Sequence, residues 1–144
     1  MKSETFTARA GAVGSAKAAE EFFCQINWAV SWTAGDPIDV THSTTAWCDP
    51  AKAPRIGGEV DSLLIDEDDN LLSMGTATMN PVDPTPTVAT ATESVARPQT
   101  LHVRSELSLT ILDPGEVWKV APEGCTGISS IYLQCSLDWA DFSV

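Results

Sequence analysis

Leu101-His102-Val103-Arg104-Ser105-Glu106-Leu107-Ser108-Leu109-Thr110-Ile111 decides the fold class of this chain. Leu101, Val103, Leu107, Leu109 and Ile111 fall on one face of an extended segment, and His102, Arg104, Glu106, Ser108 and Thr110 on the other. A period of two with one apolar and one polar face is the mark of a strand buried on one side, as in antiparallel sheets. Asp113-Pro114-Gly115-Glu116 follows as a turn, and Val117-Trp118-Lys119-Val120 as a further strand.

Upstream the same period recurs. Ile26, Trp28, Val30 and Trp32 alternate with Asn27, Ala29 and Ser31. That phase predicts a core stripe of Ile26, Trp28, Val30 and Trp32, joined by Trp47, Leu107, Leu109 and Ile111. Ala34-Gly35-Asp36-Pro37 is a turn, Ile38 to Trp47 a second strand, and Val60 to Ile65 with Leu71 to Met74 a hairpin. Gly57-Gly58 reads as a flexible loop. Thr87 to Ala96 is another strand, and Ile128 to Cys135 and Leu137 to Phe142 supply the last. About seven to nine short strands punctuated by Pro, Gly and Asp predict an all-β, antiparallel, Ig-like β-sandwich.

Residues 1–23 are expected to stand apart as an extended N-terminal arm. Lys2 to Gly14 shows no clear period, and Ser15 to Phe23 predicts one short helix capped by Ser15. The sandwich is expected over 24–144.

The 144 residues carry 20 Asp and Glu against 8 Lys and Arg, a net charge of −12. Such a surface repels phosphate backbones and anionic lipid, so neither nucleic acid nor membrane is expected as a partner. Solubility or a basic protein partner accounts for it. No run approaches the roughly 20 apolar residues of a membrane helix. The first residues lack a basic segment followed by an apolar one, so synthesis in the cytosol is expected.

Candidate chemistry is sparse. Asp66, Asp68 and Asn70 match the first, third and fifth positions of a calcium loop, but Leu71 and Ala77 occupy the places of the required Gly and Glu. A solvated hairpin tip is the expectation. His42 and His102 fall on the polar sides of strands and predict surface or interface roles. No nucleophile elbow or phosphate loop is present, so no catalytic residue, metal or cofactor is expected. Cys24 and Cys48 read as buried small hydrophobes. Cys125 and Cys135 flank a hairpin and are expected as free thiols, bridged only in an oxidising environment. Phe22, Phe23, Trp118 and Trp139 are expected as interface anchors.

Ile26-Asn27-Trp28, Trp32, Gly35-Asp36, Ile38, Ser43 and Trp47 resemble a pattern in a small β-sandwich domain of tailed-bacteriophage structural proteins, among them fiber–tail adaptors and head decoration proteins. The Thr-rich strand from Thr87 and the alternating one ending at Ile111 resemble the end of that domain. The resemblance spans 24–112, leaving 113–144 as additional C-terminal strands. It implies a non-enzymatic virion protein, assembled in the host cytoplasm, foremost a capsid decoration (cement) protein. Its partner would be the major capsid protein or another virion protein, with self-association as a dimer or trimer. A fiber–tail adaptor, or a carbohydrate-binding module on a receptor-binding appendage, is the alternative.

Overall fold

The computed structural model describes residues 2–12, 20–48, 55–79, 86–113, 115–120 and 124–144; within these spans, side chains are described from 26 onward except at 48, 116, 119 and 120. Among the described residues the chain is all strand and turn, with no helix. Two antiparallel sheets pack face to face.

The first sheet has the order β6-β3-β2-β1-β8, built from β1 (Lys2–Ala12), β2 (Glu20–Trp32), β3 (Ile38–Cys48), β6 (Thr87–Val95) and β8 (Glu116–Val120). The second has the order β5-β4-β7-β10-β9, from β4 (Ile56–Asp66), β5 (Leu71–Met79), β7 (Thr100–Ile111), β9 (Cys125–Gly127) and β10 (Tyr132–Asp138). A short β11 (Phe142–Ser143) also pairs with β7.

The deciding segment behaves as its alternation predicts. Along β7, burial switches at every residue from Thr100 to Ile111. Leu107, Leu109 and Ile111 face inward with Val60 and Leu64 of β4, Leu133 of β10, and Ile26, Trp28, Ile38 and Val40 of the opposite sheet. Val30 packs at the margin of this core.

Two of the expected core tryptophans are elsewhere. Trp32 closes β2 beyond the core and is 41% exposed, its ring stacked on Phe142 at 5.3 Å. Trp47 lies on the outer face of β3, because the inward phase of that strand is Ile38, Val40, His42, Thr44 and Ala46. The short polar side chains of that phase conceal it in the sequence.

The N-terminal arm is a strand instead. β1 pairs with β2 from Lys2 opposite Trp28 to Ala10 opposite Glu20, and with β8 on its other edge. The domain therefore begins before residue 24. Thr5, Phe6 and Thr7 favour extended backbone, and two neighbouring strands take up its hydrogen bonds. Of the expected helix, 15–19 lie outside the described residues, and Glu20 to Phe23 are strand. Gly57 and Gly58 are strand too, opposite Thr110 and Leu109. Gly58 has φ +151°, and a Cβ there would overlap the Ser108 carbonyl, so glycine is required by close approach and not by flexibility.

A buried polar layer ties the sheets together. His42 is fully buried, with Nδ1 against Ser62 Oγ at 2.9 Å and Nε2 against Ser73 Oγ at 3.0 Å. Thr44 Oγ1 meets Ser105 Oγ at 2.7 Å, and Trp139 Nε1 donates to the same Ser105 oxygen at 2.9 Å. Buried hydroxyls thus have partners across the sandwich, which avoids the desolvation cost of lone polar groups.

Candidate docking face

The outer surface of the second sheet is assembled by register. Asp61 of β4 stands opposite Glu106 of β7, and Glu106 opposite Ser136 of β10. One step along, Glu59 stands opposite Ser108, Ser108 opposite Gln134, and Gln134 opposite Thr126 of β9. The alternation that drives Leu107 and Leu109 inward drives Glu106 and Ser108 outward.

These rows floor a cleft of about 430 Å³, walled by Ile128 and Tyr132 and by the β9–β10 hairpin. Three carboxylates, Glu59, Asp61 and Glu106, line it, and among the described residues no basic side chain does. Asp61 Oδ1 is buried and has no hydrogen-bond partner among the described residues. Like charges directly opposite on a sheet face repel. An ammonium or guanidinium group seated here would neutralise that repulsion and give Asp61 Oδ1 a donor.

Arg104, two residues from Glu106 along β7, is committed elsewhere. Arg104 Nε donates to Asp138 Oδ1 at 2.7 Å and its Nη2 to Asp69 Oδ1 at 3.3 Å. The hydrogen bond that Arg104 donates to Asp138 is the main cause that raises its pKa above the usual value. His102, 17% exposed, lies between Asp138 (3.3 Å) and Asp141 (3.7 Å). Leu63 and Ile65 are buried on the same outer face.

The acidic turn after β4 serves itself. Asp66 Oδ1 accepts from the backbone N–H groups of Asp68 and Asn70, and Oδ2 accepts from Asn70 Nδ2. The backbone bond from Asn70 is the main cause that holds the Asp66 pKa below its usual value. Among the described residues, no group of three or more metal-ligating side chains has the geometry to hold an ion.

Several expectations need correction. His42 is not at the surface. Burial lowers its pKa to about 4, so it is neutral at physiological pH. Trp139 is not an interface anchor. It is 9% exposed and stacks on Trp28 at 5.6 Å, because the chain after β10 turns back into the core. Trp118 is half-buried, its Nε1 donating to the Ile131 carbonyl at 3.1 Å. The side chains of Phe22 and Phe23 lie outside the described residues. Cys125 and Cys135 are joined as a disulfide, because β9 and β10 place them directly opposite each other.

The cleft carboxylates were not singled out by sequence. Alternation marks Glu106 as outward, but only the pairing of β4 with β7 brings Glu59 and Asp61 beside it. No family model, curated protein or solved structure matches the chain.

Proposed function

We propose that this chain is a non-enzymatic docking protein of the virion-structural class, foremost a capsid decoration protein, and that it docks through the cleft on its second sheet. The observation that carries the docking reading is the cleft itself. Three carboxylates line it, Asp61 Oδ1 is buried without a hydrogen-bond partner, and among the described residues no basic side chain lines it. A lysine or arginine side chain from a basic partner surface matches that chemistry, and the net charge of −12 steers such a surface toward it. Against catalysis, His42 is buried between two serines, out of reach of a substrate.

The virion assignment rests on the resemblance around Trp28 to Trp47. Mass spectrometry and cryo-microscopy of purified particles test it. The chain should be present in the particles at stoichiometric amounts, with the outer face of the second sheet against its neighbour. Its absence from the particles would remove the assignment.

A carbohydrate-binding reading has one observation in its favour. Trp32 is exposed at the end of the sandwich that also carries Phe142. One ring face is covered by Phe142, which leaves the other for a sugar. Glycan titration with Trp32→Ala as the comparison decides it: saturable binding lost in the variant would favour this reading.

A further inference from the structure

The four cysteines fall into two pairs, each directly opposed across neighbouring antiparallel strands: Cys125 with Cys135, and Cys24 with Cys48. A cross-strand disulfide in an antiparallel ladder is favoured at the non-hydrogen-bonded pairs, where the facing side chains lie closest, with about 4.5 Å between Cα atoms. The ladder bonds identify which sites these are.

Ser136 N donates to Gly124 O at 3.2 Å, which makes Gly124 and Ser136 a hydrogen-bonded pair. The next pair, Cys125 and Cys135, is therefore of the close type, and it carries the observed disulfide. On the other sheet Thr33 N donates to Asp39 O at 3.1 Å, which makes Thr33 and Asp39 a hydrogen-bonded pair. The register of β2 with β3 then runs unbroken to Cys24 opposite Cys48. Cys24 lies nine residues back from Thr33, an odd number of steps, so its pair is again of the close type. Both cysteine pairs occupy the same kind of site.

We propose that Cys24 and Cys48 form a second cross-strand disulfide and that the working form of the chain carries both bridges in an oxidising environment. Each thiol gives up a proton, one S–S bond forms, and two electrons pass to a disulfide oxidant such as glutathione disulfide, which becomes two thiols. The bridge fastens β2 to β3 at the last residue of β3. Synthesis in a reducing cytosol would leave both pairs as thiols, to close on release into oxidising surroundings. This inference stands independently of the docking reading.

Full-length protein, equilibrated with glutathione disulfide, denatured and treated with iodoacetamide, should take up no label, and should take up four after reduction. Proteolysis without reductant should yield a peptide pair linked through Cys24 and Cys48. The variant Cys125→Ser/Cys135→Ser should still yield that pair. Labelling of Cys24 and Cys48 in the oxidised wild type, or linkage of Cys24 to a cysteine other than Cys48, would overturn the proposal.

Discussion

Asp61 and Glu106 stand directly opposite each other across β4 and β7, at the floor of a cleft lined by no basic side chain among the described residues. The pair opposes folding and favours a cationic partner. Asp61→Asn or Glu106→Gln should therefore raise the stability of the isolated chain, by about 0.2–1 kcal/mol, in denaturant melts. The same variants should weaken binding of a basic peptide. Loss of stability in both would show that the carboxylates serve the fold instead.

His42 links stability to pH. Its pKa is about 4 in the fold against 6.5 for the free side chain, so the unfolded chain binds the proton more readily. Stability should be flat above pH 6.5 and fall as pH drops toward 4, by about 3 kcal/mol in total. The lowered Asp66 and Asp113 pKa values act in a separate window, below the ordinary carboxylate range. Thermal melts of His42→Gln, compared with wild type, should show a lower plateau and lack the slope between pH 6.5 and 4.

The tryptophans should separate by location. Trp139→Ala removes the stack on Trp28 and the bond to Ser105, and should cost about 3–5 kcal/mol. Trp32→Ala gives up an exposed stack and should cost about 0.5–1.5 kcal/mol. Equal costs would contradict the placement of Trp139 in the core.

Residues 2–12 are structural. Deleting them strips β2 and β8 of their shared neighbour, so the truncated chain should lose its cooperative melt. A truncated chain that melts like the full one would return these residues to the role of an arm.

Legibility followed side-chain contrast. Where large apolar residues alternate with polar ones, as from Leu101 to Ile111, the strand and its inward face were plain. Where the inward residues are His42 and Thr44, or where the strand is made of Thr, Ala and Gly as in β1, the period of two has little amplitude. The phase then comes from the neighbouring strand. Trp28 and Trp32 share a phase, but burial follows distance along β2 as well as side, and Trp32 lies past the end of the core. The cleft depends on three strands distant in sequence. Glu59, Asp61 and Glu106 become a group only through register.

The most direct test of the docking account is the affinity for a short lysine- and arginine-bearing peptide, measured by calorimetry on the full chain. The cleft variant Glu59→Gln/Asp61→Asn/Glu106→Gln is set against Asp39→Asn/Glu67→Gln/Asp68→Asn, which removes the same charge elsewhere. Both variants carry three fewer negative charges than the wild-type −12. The account predicts a loss of about tenfold or more for the cleft variant, roughly 1.4 kcal/mol, and a loss of less than about threefold for the other, roughly 0.65 kcal/mol. Equal losses would show that the peptide reads net charge alone, and would contradict the cleft as the docking site.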